Sequence, residues 1–88
     1  MKRAHFRFYA ELNDLLPPPR REESFDHPFE GGASVKDVIE AFGVPHTEVD
    51  LILVNGESAG FSCQLRNGDR ISVYPLFRSV ADTRTAPA

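Results

Sequence analysis

The feature that most constrains the fold of this chain is a short amphipathic helix signal set between stretches of strand type. Ser34 is typical of a helix N-cap, and Asp37, three residues later, completes a weak capping box. The apolar side chains that follow recur at helical spacing: Val35, Val38, Ile39 and Phe42. Gly43 is typical of a left-handed helix end, and Pro45 prevents continuation. We therefore predict a helix over residues 34–43 that packs its apolar stripe against a sheet.

Two strands are predicted before this helix. Residues 4–10 alternate between apolar and polar side chains, with Phe6 and Phe8 on the buried side. Residues 11–16 fit a short helical turn, which the three prolines at 17–19 must end. Residues 24–29 read as the second strand, and Pro28 places it at a sheet edge.

Two further strands are predicted after the helix. A single turn over residues 47–50 leads into Leu51–Val54, an apolar run typical of an interior strand. Asn55-Gly56 and Asn67–Asp69 are turn signals, and residues 70–76 form the last strand. The right-handed crossover rule then favours an α+β fold of the β-grasp, or ubiquitin-like, type. Its mixed sheet has four to five strands, with one main helix packed on one face.

Length and composition describe one small domain. The chain has 88 residues and a net charge of −3, which argues against a general binder of phosphate backbones. Cys63 is its only cysteine, and its longest apolar run has four residues, so we expect a cytoplasmic protein without a membrane span. The predicted core consists of the inward side chains of helix and strands: Phe6, Phe8, Val35, Val38, Ile39, Phe42, Ile52, Val54, Ile71 and Val73.

No catalytic or metal-binding pattern stands out. His5, His27 and His46 lack the spacing of metal ligands, and Cys63 has no neighbouring base in the sequence. The Gly31-Gly32 pair fits a turn before the helix better than a phosphate-binding loop. We therefore expect no enzyme activity, no metal, no cofactor and no small-molecule ligand.

A surface is the better candidate for function. In a β-grasp the first and last strands are neighbours, so their outward residues share one face. Leu51 or Leu53 could join this face, whose predicted members are Arg7, Tyr9, Arg70, Ser72 and Tyr74. Arginine and tyrosine are enriched in protein interfaces, although an ordinary mixed surface would also fit. The distribution of charge agrees with a basic face on the first and last strands: residues 1–10 and 58–88 carry net charges of +3 and +2, whereas residues 11–57 carry −8.

Longer sequence stretches resemble a known family. The run LILVNGESAGFSCQLRNGDRISVYPLF resembles the second half of the ThiS/MoaD group of ubiquitin-like proteins. Together with FRFYAELNDLLPPPRR and ASVKDVIEAFGVPHTEVDLILVNG, it is similar to one branch of that group. That branch is the ubiquitin-like domain found ahead of Mut-seven-C-type, PIN-like RNase domains in many bacterial proteins. The resemblance covers residues 4–78.

This resemblance implies a non-catalytic module that binds a PIN-like RNase domain, in the same chain or a neighbouring one. Sulfur carriers of the ThiS/MoaD kind end in Gly-Gly, whereas this sequence ends in Ala86-Pro87-Ala88, so a carrier role is the disfavoured alternative. A further alternative is RNA contact through Arg7 and Arg70. The predicted organisation is a β-grasp domain over residues 1–78 and a flexible tail over residues 79–88.

Overall fold

The fold is a mixed sheet with a helix across one of its faces. The computed structural model describes residues 1–75. These residues form five strands, β1 (Lys2–Phe8), β2 (Phe25–Phe29), β3 (Val49–Val54), β4 (Glu57–Ala59) and β5 (Arg70–Pro75). They also form helix α1 (Val35–Ala41) and three 3-10 helices, at Ala10–Leu15, Pro18–Arg20 and His46–Glu48. No helix among residues 1–75 is long and apolar enough to cross a membrane.

The strand order confirms the predicted architecture. Within the described residues the sheet runs β2-β1-β5-β3-β4, with β1 and β5 parallel and every other pair antiparallel. The first and last strands are therefore neighbours, and β2 lies at an edge, as its proline predicts. The short strand β4 is not among the strands that the sequence predicts. The predicted domain end at residue 78 and the tail over residues 79–88 lie outside the described residues.

Helix α1 begins and ends where its local signals predict. The Ser34 hydroxyl accepts a hydrogen bond from the Asp37 amide at 3.2 Å, which satisfies one of the free amides of the first turn. Gly43 has a φ of +96°, a left-handed conformation that glycine adopts without strain. These local signals are sufficient to place the helix, because both ends are closed by residues within the segment itself.

The predicted first strand is wrong at both ends: β1 spans Lys2–Phe8 rather than residues 4–10. It ends early because Ala10 has a φ of +52°, which turns the chain into a 3-10 helix. Tyr9 is still extended, and its amide donates to the Val73 carbonyl at 3.1 Å. The predicted helical turn over residues 11–16 thus exists in the tighter 3-10 form, and Leu12 and Leu16 are both buried.

A buried asparagine fastens the segment between β1 and β2. Asn13 is 3% exposed. Its Nδ2 donates to the carbonyls of Phe8 and Ala10 at 3.1 and 3.0 Å. Its Oδ1 accepts from the Glu22 amide at 2.6 Å, where Glu22 has a φ of +61°. Arg21 adds a hydrogen bond from Nε to the Leu16 carbonyl at 2.8 Å. The loop is therefore tied to the end of β1.

The core agrees with most of the prediction. Eight of its ten predicted members are buried, and Phe42 and Val54 are half-buried against the same cluster. β3 begins at Val49 rather than Leu51, because the preceding turn is a 3-10 helix that ends at Glu48. The apolar core residues that the sequence does not predict come from strand ends and loops: Ala4, Leu12, Leu16, Phe29, Val44, Val49 and Leu65. The core lies between α1 and one face of the sheet, so the opposite face is left uncovered by the helix.

Candidate protein-interaction face

The uncovered side of the sheet carries the five residues predicted as a site. Arg7 and Ser72 are register partners in the parallel pair of β1 and β5, and Arg70 is the partner of His5. Alternate residues on the same strands, Phe6, Phe8, Ile71 and Val73, are fully buried on the helix side. We use the term sheet face for the five outward residues: Arg7, Tyr9, Arg70, Ser72 and Tyr74. The structure places all five on this one side of the sheet.

Two tyrosines dominate one end of the sheet face. The rings of Tyr9 and Tyr74 are stacked, with centroids 4.4 Å apart and planes 7° from parallel. The Arg7 guanidinium carbon lies over the Tyr9 ring, 5.2 Å from its centroid. Partial burial, followed by a hydrogen bond with Tyr9, raises the pKa of Tyr74 above its ordinary value of 10.0. Tyr74 is thus neutral at physiological pH, and both tyrosines present amphipathic rings to solvent.

Two leucines extend this end of the face across β3. Leu51 is the register partner of Tyr74, and Leu53 is the partner of Ser72. Leu51 is 38% exposed, and Leu53 is half-buried. Both leucines that the sequence offered as alternatives therefore lie beside the sheet face. Their addition makes the Tyr74 end of the face apolar.

The other end of the face is a basic depression of about 400 Å³. Its polar lining comes from β1 and β5, from the residue before β2 and from Tyr9, which it shares with the tyrosine pair: His5, Arg7, Tyr9, Ser24, Arg70 and Ser72. Arg7 Nη2 lies 3.7 Å from Glu22 Oε1, and His5 is paired through Nδ1 with Asp26. The Arg70 side chain has no ion pair with any residue in the range 1–75. We call this hollow the depression; Tyr74 lies outside it.

Sequence reasoning missed the acidic residues on one side of the depression. Glu22 reaches Arg7 because the Asn13 side chain holds the Glu22 amide and its left-handed backbone. No sequence signal marks this contact, because Asn13 stands beside Asp14 at a position where the helical spacing of the leucines expects a polar residue. Asp26 could have been found, because it lies opposite His5 in the antiparallel register of β1 and β2.

The remaining reactive side chains are dispersed. His27 packs edge-on against Phe42, with ring centroids 4.9 Å apart. The His46 ring lies 2.5 Å from Glu40 Oε2 at the end of α1. Cys63 is half-buried, and its Sγ lies 3.8 Å from the Gln64 carbonyl. Within residues 1–75 no three His, Cys, Asp or Glu side chains come close enough to hold a metal ion.

A ubiquitin-like β-grasp protein is defined by this element order, by the parallel pairing of its first and last strands, β1 and β5, and by the helix across one face of the sheet. The small archaeal modifier protein 1 of Haloferax volcanii has the same fold, with a TM-score of 0.64 and 19% sequence identity over 85% of this chain and 98% of that one. A putative molybdopterin converting factor subunit 1 from Pyrococcus furiosus gives a TM-score of 0.64 and 21% identity, again over 85% and 98% of the two chains.

Sequence comparison then defines the family. The sequence model of the family described as Mut7-C ubiquitin matches residues 1–81. The chain therefore belongs to the Mut7-C ubiquitin family. A search of curated proteins gives no match. The family assignment confirms the resemblance found in the sequence, and the archaeal structures support its fold.

Proposed function

We propose that this chain is a non-catalytic interaction module whose sheet face binds a PIN-like RNase domain, in the same polypeptide or in a separate one. The choice of partner is supported by membership of the Mut7-C ubiquitin family, because its sequence resembles the domain found ahead of Mut-seven-C-type RNase domains. The observation that carries the proposal is the stacked pair of Tyr9 and Tyr74, with Arg7 over Tyr9, on the side of the sheet that α1 leaves uncovered.

The physical argument rests on the residue types and their ordering. Interface centres are enriched in tyrosine and arginine. Tyrosine buries a large area with only two side-chain torsions. Stacking restrains both tyrosine rings before any partner arrives, so less side-chain entropy is lost on binding. Leu51 extends the same surface with an exposed aliphatic side chain. A solvated face of lysine and glutamate would offer neither the area nor this preorganisation.

The test is the affinity of this chain for a purified Mut-seven-C-type RNase domain encoded in the same genome, measured by calorimetry. The double variant Arg7→Glu/Tyr74→Ala removes the charge and one ring of the stack, and we expect it to abolish binding. Lys36→Glu is the matched control, because it reverses a charge on α1, which covers the other side of the sheet. Circular dichroism and thermal melting check that both variants fold. Unchanged binding by a folded double variant would contradict the proposal.

A further inference from the structure

The sheet face is ordered from a basic end to an apolar end. Arg70 and His5 are paired across β1 and β5 at one end, and Tyr74 and Leu51 are paired across β5 and β3 at the other. The depression lies beside Arg70–Ser72, so its middle is about three residues, or about 10 Å, from Tyr74 along β5. A partner that covers the whole face therefore meets a cation and an apolar ring at a defined separation.

The two arginines of the depression differ in how far they are neutralised. Arg7 and His5 each have an acidic neighbour, Glu22 and Asp26, on the β2 side. The Arg7–Glu22 separation of 3.7 Å involves a carboxylate side chain that is 73% exposed, so this pair contributes little. Arg70 is exposed and has no ion pair within residues 1–75. An approaching anion is therefore attracted chiefly at Arg70, on the side away from Glu22 and Asp26.

These surroundings favour a single carboxylate over a nucleic-acid strand. A phosphate backbone would have to run past Glu22 and Asp26, and past a chain with a net charge of −3. Base stacking on Tyr9 is hindered, because Tyr74 and Arg7 already engage its ring. One acidic side chain on a protein surface can instead enter the depression from the Arg70 side and avoid both acids.

We propose that the partner is an acidic protein surface: one of its carboxylates enters the depression between Arg7 and Arg70, and an apolar side chain about 10 Å away packs on Tyr74 and Leu51. This inference rests on the proposed function, since it names the chemistry of the partner for the same face. The separation of about 10 Å corresponds to about seven residues along a partner helix, or two turns. The acidic and apolar positions therefore recur at i and i+7 on a helix.

The experiment measures the affinity of the RNase domain for the wild-type chain, Arg70→Glu, Tyr74→Ala and Lys36→Glu. We expect Arg70→Glu to weaken binding at least about tenfold, because truncating or reversing one member of a buried charge pair leaves the other unpaired. Lys36→Glu changes the net charge by the same amount on the helix side and should leave the affinity within about twofold. Wild-type binding should weaken as salt is raised from ~0.05 to ~0.5 M, and Arg70→Glu should show a smaller salt dependence. Arg70→Gln, which removes the cation without adding an anion, should give an intermediate loss.

The outcomes separate the two proposals. If Tyr74→Ala weakens binding and Arg70→Glu does not, the sheet face is correct and the acidic anchor is wrong. If the folded wild-type chain does not bind the RNase domain, the proposed function fails and takes this inference with it. Fluorescence anisotropy with a labelled single-stranded RNA tests the phosphate alternative. If Arg70→Glu abolishes RNA binding but leaves binding of the RNase domain unchanged, the proposal of an acidic protein partner is wrong. If analytical ultracentrifugation shows salt-sensitive dimers that Arg70→Glu dissociates, the face binds a second copy of this chain, and the proposal of an acidic partner is again wrong. A charge swap tests the contact directly: changing the partner's Asp or Glu to Lys should restore the affinity that Arg70→Glu loses.

Discussion

Substitution of Asn13 by alanine tests whether one buried side chain holds the loop that borders the depression. Asn13 makes three hydrogen bonds of 2.6 to 3.1 Å at 3% exposure. Each such bond contributes about 0.5–1.5 kcal/mol net, and a buried group left without a partner costs about 1–3 kcal/mol. We therefore expect Asn13→Ala to lower the free energy of unfolding by about 2–4 kcal/mol. A domain of this size has a total stability of roughly 4–13 kcal/mol, so the loss is a large share.

Urea denaturation followed by circular dichroism measures this loss. With a slope of about 1 kcal/mol per molar urea, the midpoint should fall by about 2–4 M. Asn67→Ala is the matched control, because its side chain accepts one hydrogen bond from the Arg3 amide at 2.9 Å in an exposed position. This control should cost less than about 1 kcal/mol. Amide hydrogen exchange adds a local readout: Glu22 should lose protection in Asn13→Ala and keep it in Asn67→Ala.

Equal midpoints for Asn13→Ala and Asn67→Ala would refute the reasoning, because a buried bridge and an exposed hydrogen bond would then contribute the same. A large loss of global stability with unchanged exchange at Glu22 would refute the part of the argument that assigns Asn13 to this loop. Both results are independent of any binding partner.

Two further predictions concern stability. Gly43→Ala should lower the free energy of unfolding by about 1–2 kcal/mol in a urea melt, because φ is +96° and the added Cβ would lie 3.4 Å from the Leu15 carbonyl. In the control Gly60→Ala the added Cβ meets nothing within 4 Å, so this change should be nearly neutral. Equal urea midpoints for the two variants would contradict the assigned helix end. Burial, followed by the charge of Arg20, lowers the pKa of His27 below 6.5, so the unfolded chain takes up a proton more readily than the folded one. Neutral His27 therefore contributes its full share of the folding stability above pH 6.5, and this share is lost as the pH falls from 6.5 toward the folded pKa. The Tm of the wild type should then fall relative to that of His27→Phe on acidification. A Tm difference that does not change with pH would show that His27 is not the titrating group.

The parts of the fold that could be predicted from the sequence are those whose causes are local. Ser34 and Gly43 close α1 from within the segment, so the helix was predicted almost to the residue. The period of two along β5 separates Arg70, Ser72 and Tyr74 from the buried side, which is enough to identify three of the five residues of the sheet face. The strand β4, in contrast, has three small or polar residues without alternation, and it exists because β3 offers a free edge.

The parts that could not be predicted depend on contacts between distant residues. The φ of +52° at Ala10 ends β1 early, and no glycine or asparagine at that position announces it. The bridge from Asn13 to Glu22 spans nine residues across three prolines, so its existence depends on the loop's path rather than on any pattern. The same bridge brings Glu22 to Arg7. The acidic side of the depression is therefore a product of tertiary structure, whereas its basic side follows from strand alternation.

The place of Pro28 in β2 has a consequence for the free boundary of the sheet. The amides of Arg3 and His5 donate toward the turn before β5, at Asn67 Oδ1 and the Asp69 carbonyl. Their register partners on β2, Pro28 and Asp26, therefore direct their backbone groups away from β1, to the outside. Proline has no amide hydrogen, so another chain that tried to extend the sheet there would find a missing donor at the fourth of the five positions of β2. Pro28 therefore opposes intermolecular strand addition at this edge and the fibrillar aggregation that such addition can start.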